Sequence, residues 1–575
     1  MTRAAAVVWL ALLALAACNS DPAAPGGAPA PTAATATRPR HASHLFTATI
    51  ADPKTFNPLI VTDAASSAAI GDLFDALVRL DPRTLEMHPA LAERWTLNPD
   101  GTEATFFLRR DVRWHDGQPL TAADVVFTFD AIFDPRVPSS LKHPLTIDGQ
   151  RPKIDAIDDY TVRVRLPRPF APLLSAIAAP IVPKHILGPA LAAGELAQQW
   201  GIATPPERLI GSGPYKLERY EPAQYIHLVR NPDYWRRDDA GQPLPYLQEQ
   251  TIRIVANQDT AYLKFLAGET DIHTPRPEEI PDLRAQTGAR DIAVQEIGLD
   301  TGTLFVTFNR NPAHYRANGA PDPRLRWFTD PLFLRAIAHS IDKPSIVNNA
   351  LHGFGRPALS YLSPENAQFY NPNLTDYAYD LDTARRLLAE GGYQDRDGDG
   401  VIEDRDGHPV EFTLNTNAGN QVREKICAIV KEDWERGLGM KVHFKPLDFG
   451  LLVEKLDTTF DWDAMLMGFT GSPEPHNAAN LLRSSGNLHL WHPNQKAPAT
   501  EWEAEIDRLL DTGARALDPA QRQQAYWRIQ AILNQELPMI QTVHAQRFTA
   551  STNALQNYSP SVWGVYRPEL LRFAE

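Results

Sequence analysis

From residue 44 to the C-terminus, short segments with a two-residue hydrophobic period alternate irregularly with segments of helical period, and no stretch repeats another. This pattern restricts the chain to a mixed α/β fold and excludes solenoids and propellers. The segment 44–60, HLFTATIADPKTFNPLI, reads as a strand running into a Pro/Asn loop. The segment 66–82, SSAAIGDLFDALVRLDP, reads as an amphipathic helix stopped by Pro82. Asn98-Pro99-Asp100-Gly101 between two extended runs marks a hairpin, and Thr121 with Asp124 three residues on marks a helix start. Past residue 300 a second α/β block begins, with strands at 410–417, 440–448 and 460–469. Its helices are read at 331–351, 381–392, 421–439, 504–516 and 518–538. Neither block carries a phosphate-cradling glycine loop.

The chain has 575 residues, a length that suggests about two to four domains. With 43% hydrophobic residues and 12 Trp it can bury large cores. A formal net charge of −14 argues against nucleic acid as a partner. Met1-Thr2-Arg3 precede an uncharged run from Ala4 to Ala17, too short to span a bilayer and shaped like an export signal over residues 1–17. That run ends Leu15-Ala16-Ala17-Cys18, which resembles the bacterial lipobox, in which the cysteine is acylated and becomes the mature N-terminus. Residues 18–43 are then a lipidated end and a Pro-, Ala- and Gly-rich tether, expected to be disordered, whose ends lie about 25–30 Å apart. The other cysteine, Cys427, sits in a helical pattern and reads as a small buried apolar residue, so no intramolecular disulfide is expected.

The block AERWTLNPDGTEATFFLRRDVRWHDGQPLTAADVVFTFD resembles the signature region of family 5 extracellular solute-binding proteins, the dipeptide-, oligopeptide- and nickel-binding group that feeds ABC importers. The likeness recurs in order at IVPKHIL, GSGPYKLERYEPAQYIHLVRNPDYW, LPYLQEQTIRIV, LRAIAHSIDKPSIVNNALHGFGRPA and YDLDTARRLLAEGGYQDRDGDG, among others, out to the C-terminus. It implies a type II periplasmic-binding-protein fold, two lobes joined by a hinge, plus an extra third domain. By that pattern lobe I is residues 44–82, 206–300 and 541–575, the extra domain 83–205, and lobe II 301–540. It further implies a monomeric receptor at the periplasmic face of the envelope, anchored by lipid on Cys18. Such a receptor closes on a small solute, with peptide the first choice, and presents it to an ABC permease and its ATPase.

Candidate ligand contacts come from loops at strand ends. The resemblance sets Phe56 and Asn57 near the ligand. Asn417, Asn420 and Arg423 follow a strand and open a helix, offering amides, a helix N-terminus and a guanidinium to a carboxylate; capping of the turn and helix is the competing role for the two asparagines. In dipeptide-binding relatives the loop after Gly-Trp-Thr-Gly carries an Asp that meets the ligand ammonium. Here that loop begins Phe469-Thr470 and offers Glu474. GSGPY at 211–215 is not a nucleophile elbow and reads as a tight backbone turn.

Asp395, Asp397, Asp399, Glu403 and Asp406 match positions 1, 3, 5, 9 and 12 of an EF-hand-type loop, with Asp in place of the usual Glu at position 12. Structural Ca2+ and a solvated Asp/Gly turn are both open there, and no other cofactor is expected. His489 and His492 read as part of a packed aromatic loop. No nucleophile–base pair is present in the pattern, so an enzyme is not expected. The same fold serving an oligosaccharide or another solute, and an envelope sensor or chaperone-like lipoprotein, are the competing functions.

Overall fold

The computed structural model describes residues 43–316, 322–486 and 488–574. The export segment 1–17, Cys18 and the tether as far as residue 42 lie outside the described residues. Among the described residues no helix is long and apolar enough to cross a membrane.

The chain opens with β1 (His44–Thr49) and a short hairpin of β2 (Val78–Leu80) and β3 (Met87–Pro89). β4 (Ala92–Leu97), β5 (Glu103–Leu108), β6 (Lys153–Asp158) and β7 (Thr161–Arg165) then form an antiparallel sheet in the order β4-β5-β7-β6. The Asn98–Gly101 turn joins β4 to β5: Asn98 Oδ1 accepts from the amides of Thr102 and Glu103, and Gly101 takes φ +71°. Helix α1 (Ala122–Phe133) begins where Asp124 accepts from the Thr121 amide at 2.9 Å, and buries Val125, Phe129 and Ile132. β8 (Tyr215–Glu221), β9 (Tyr225–Arg230) and β10 (Glu249–Ile254) return to β1 in the order β1-β10-β9-β8, with β1 parallel to β10.

Eight further strands make one sheet: β11 (Ile272–His273), β12 (Ile292–Leu299), β13 (Thr303–Phe308), β14 (Gly355–Pro357), β15 (Glu411–Asn417), β16 (Lys441–Leu447), β17 (Ala464–Phe469) and β18 (Met539–Thr552). β18 is its spine. Residues 539–543 pair with β13, whereas 546–552 pair with β12. The link from β12 to β13 crosses beside it: the Asp300 amide donates to Ala545 O at 2.7 Å, and His544 Nδ1 lies 3.0 Å from Gly302 O. The chain thus passes twice, side by side, between its two halves, and the expected boundary at 540/541 falls inside β18.

Helices α2 (Pro331–His339), α3 (Leu381–Gly391) and α4 (Gln421–Glu432) cover the second half with an aromatic core. There Phe308 stands 4.6 Å from Phe328 and 5.8 Å from Phe412, ring to ring. Helices α5 (Glu501–Arg515) and α6 (Pro519–Glu536) pack on a separate core with Trp491, Ile506 and Tyr526.

Two helices depart from their pattern. The one expected over 331–351 breaks at residues 340–342 into Pro331–His339 and Lys343–Ala350. The helix expected over 66–82 runs only from Ala64 to Ile70, and Val78–Leu80 is strand. Leu73, Phe74 and Leu77 are buried, worth about 1.5–3 kcal/mol each, which outweighs helical propensities of a few tenths. The backbone there bonds across the fold instead: Leu73 O accepts from Gly213 N at 3.0 Å and Asp72 O from Tyr215 N at 3.1 Å. A Cβ on Gly213 would run into the Asp72 carbonyl, and one on Gly211 into Leu73 O. The glycines of GSGPY therefore serve backbone-to-backbone packing.

Candidate functional site

Two large cavities lie between the halves. The first, about 720 Å³, has walls from Gly71–Ala90, Ala171–Ala178 and Val565–Glu569 on one side, and from Gln368, Phe369, Pro473, Glu474 and Arg522 on the other. Its wall is strongly ionic. Buried Glu569 receives Arg236 at 2.6 Å and Arg79 at 3.1 Å. Burial alone raises the Glu569 carboxyl, yet Arg236 and Arg79 overcome it and hold it below its ordinary value. Asp75 accepts from Tyr234 Oη and Trp235 Nε1 at 3.2 and 3.0 Å, and burial pushes it up to about 6.

The second cavity, about 790 Å³, is bounded by Thr274–Glu278 and Ile297 on one side and by Asp300–Leu304, Gly419–Arg423, Lys425 and Gly468–Thr470 on the other. Val543 and Ala545 of β18 lie in its wall, so it borders the double crossing between the halves. Arg423 reaches it from the first turn of α4. Nη1 donates to Asn417 Oδ1 at 2.8 Å, Nη2 to Gly468 O at 3.3 Å, and buried Nε has no partner. Among the described residues no carboxylate stands within ion-pair distance of it, and burial lowers its pKa. Next to it β17 offers an open edge: β15 pairs with β17 only at Ala464 and Met465, so Gly468–Thr470 have no strand on that side.

The residues expected at the ligand sort unequally. Asn420, Arg423, Phe469 and Thr470 line the second cavity. Asn420 also caps α4, accepting from the Arg423 amide at 3.1 Å, so capping and lining coincide. Asn417 acts one step back, holding Arg423. Glu474 lines the first cavity, but its carboxylate is taken by Arg522 at 2.6 Å and by the His476 amide at 2.9 Å. Phe56 and Asn57 are both fully buried and line neither cavity. Asn57 Nδ2 donates to Leu196 O and Gln199 O, and Phe56 sets its ring edge-on to Tyr220, so both fasten the loop to the interior.

Asp395, Asp397, Asp399 and Glu403 do converge, with one oxygen of each within 4.8 Å of the others. Those oxygens already accept backbone amides, Asp395 from Gly398 and Gly400, Asp397 from Asp399, Asp399 from Val401 and Glu403 from Arg396. Asp406 stands apart from them: it pairs with Arg326 at 2.5 Å and groups with Asp404 and His408. His489 is fully buried in an aromatic loop with Trp491, both bonded to Glu503. Burial raises Glu503, but His489, Gln495, Trp491 and Thr500 outweigh it and hold its carboxyl down to about 2. Cys427 is buried, which pushes its thiol well up and leaves it unreactive.

Arg79, Asp75, Arg236 and Glu569 escaped the sequence reading. They are spread over almost 500 residues, and no spacing links them.

The family model of bacterial extracellular solute-binding proteins, family 5, matches residues 86–489, well over half of the chain. The oligopeptide-binding protein AppA of Bacillus subtilis is 27% identical over 540 residues, covering 91% of this chain and 90% of AppA. The structure of that protein in complex with a nonapeptide superposes with a TM-score of 0.72 at 25% identity, covering 92% of this chain and 99% of that one. NikA from Brucella suis in complex with Fe(III)-EDTA gives a TM-score of 0.76 at 21% identity, over 92% of this chain and all of its own. Members of this family are transport binding proteins of ABC importers, not enzymes. With two halves joined through β18, cavities between them and this match, the chain belongs to family 5 of the bacterial extracellular solute-binding proteins and has their two-lobed type II periplasmic-binding-protein fold.

Proposed function

We propose that the protein captures a peptide between its lobes outside the cytoplasm and presents it to an ABC permease and its ATPase, as a monomer tethered by lipid on Cys18. The lobes are residues 44–82, 206–300 and 541–575, and 301–540, with 83–205 as the extra domain. The double crossing at 300–302 and 543–546 supports a hinge there.

One observation carries the peptide reading. Arg423, a cation with no carboxylate partner among the described residues, lies in the second cavity beside the open β17 edge. An extended peptide is held by main-chain bonds to a strand edge, and its terminal carboxylate answers a guanidinium. The nonapeptide bound by AppA supports the same class. Glu474 is not free to serve as the ammonium partner while Arg522 holds it.

Mass spectrometry of ligand co-purified with the protein, backed by thermal-shift screening, tests the reading. Peptides are expected to raise the melting temperature. No shift with peptides of any length, together with a shift from an oligosaccharide, sinks it. Cys18→Ser is expected to release a protein that still binds; retention in the membrane fraction would refute the anchor.

A further inference from the structure

The sheet β1-β10-β9-β8 gathers four metal-ligating side chains far from each other in sequence. In the β1–β10 pairing His44 lies opposite Glu249, and in the β10–β9 pairing Thr251 lies opposite His227. Residues 249 and 251 are two apart, so these side chains share one face. A bulge between Leu217 and Arg219 of β8 brings Glu218 to the end of the same row.

We propose that this row binds one divalent transition-metal ion of borderline softness, Zn2+ first, through His44 Nδ1, His227 Nε2 and Glu249, whose ligand atoms lie within 4.8 Å of one another, with exposed Glu218 beside His227 turning in as the fourth. An ion about 2.1 Å from each of four tetrahedral ligands needs ligand atoms about 3.4 Å apart. His44 Nδ1 is 3.0 Å and His227 Nε2 3.6 Å from Glu249 Oε2, and His227 Nε2 is 3.1 Å from Glu218 Oε2. The imidazoles are half-buried, while Glu249 and Glu218 are 45% and 57% exposed, so an ion enters from solvent.

Thr251 sets the tautomers. Its Oγ1 lies 2.8 Å from His44 Nε2 and 3.0 Å from His227 Nδ1. One hydroxyl oxygen has two lone pairs and accepts both ring N–H groups, which turns a bare nitrogen of each ring toward the carboxylates. The reverse pattern, with both neutral rings donating to the carboxylates, asks the hydroxyl for two protons when it has one. Positive charge between the rings and the carboxylates resolves this, a metal ion being one source of it, and the oxygen-held imidazole is the usual outer support of a metal ligand. Stacking of His44 on Phe46 at 3.9 Å further fixes its ring. The site uses neither cavity, so it stands apart from solute capture.

The test uses the untagged full chain, treated with chelator and titrated with Zn2+ by calorimetry and with Co2+ by visible absorption. One equivalent is expected, with the intense bands of four-coordinate cobalt. Thr251→Val should weaken binding about 10- to 100-fold. His227→Gln should abolish it, and Glu218→Gln, at an exposed bulge, should weaken it while leaving the metal-free melting temperature unchanged. Absence of heat and absorption in the parent protein overturns the proposal, as does affinity unchanged in both Glu218→Gln and His227→Gln. Should His227→Gln fail to fold, Glu218→Gln alone decides.

Discussion

Replacing Arg423 by Met tests the peptide reading most sharply when paired with a change in the ligand. Arg423 gives two hydrogen bonds to its own protein, to Asn417 and Gly468, and meets no carboxylate among the described residues. If it receives the peptide carboxylate, that charge-assisted contact in a partly desolvated cavity is worth about 2–3 kcal/mol, or about 30- to 150-fold in Kd. The assay is a double-mutant cycle by calorimetry, with the parent and Arg423→Met proteins each titrated with a peptide and its C-terminal amide. The parent should lose about 30- to 150-fold on amidation, and Arg423→Met should bind acid and amide alike, both weakly. Folding stability should change little, since the loss of two hydrogen bonds is offset by relief of a buried charge without a counter-ion. Equal losses on amidation in both proteins would give zero coupling and refute the pairing.

Three further outcomes follow from the first cavity and its frame. Asp75 keeps its proton to about pH 6 when folded, against an ordinary 3.8, so the folded state binds the extra proton between those values. Its contribution to stability is therefore present at low pH and is lost as pH rises from about 4 to 6, by about 3 kcal/mol. Asp75→Asn leaves an oxygen for Trp235 and an NH2 for the Tyr234 hydroxyl, and urea midpoints at pH 4.5 and 7 should show that slope removed. Arg522→Ala strands buried Glu474 and should cost about 3–5 kcal/mol by urea unfolding, with Arg522→Lys recovering part of it. Gly213→Ala forces a Cβ onto the Asp72 carbonyl and should cost about 3 kcal/mol, seen as a lowered melting temperature.

What was legible in the sequence is what local chemistry decides. The Asn98–Gly101 turn, the Thr121–Asp124 helix start and the Asn420 cap each depend on residues within five positions of one another. The segment 66–82 misleads because Leu73, Phe74 and Leu77 fit a helical stripe equally well, while backbone bonds to 213 and 215 decide its shape. Phe56 and Asn57 are buried for a related reason. A polar loop after a strand looks exposed, yet residues 196 and 199 arrive to satisfy the Asn57 amide. Asp406 keeps its place in the loop spacing, but Arg326, 80 residues away, claims it. The first cavity was invisible because its charge network joins Arg79, Arg236 and Glu569 only through the fold.

Under the proposed closure, the contacts between the halves leave room for solute to bias the equilibrium. Opposite the hinge, the Ala171 amide donates to Ala514 O at 2.7 Å, Arg168 Nη2 lies 3.4 Å from Asp511, and the Phe170 ring meets His476 at 5.7 Å. A hydrogen bond, a long ion pair and one ring contact are worth only about 1 kcal/mol each. Shifting a two-state equilibrium from 1:99 to 99:1 takes about 5.5 kcal/mol, more than these three contacts supply, to which Ala514, buried in the core of the first half, adds an apolar one. Ala171 also lines the first cavity, opposite Glu474 and Arg522, so a solute there touches the same surfaces that meet on closure. The second cavity borders the crossing at β18, where Arg423 stands on the second half. Under the proposed closure, solute spanning either cavity adds contacts to both halves that exist only when they meet, and that difference biases the equilibrium.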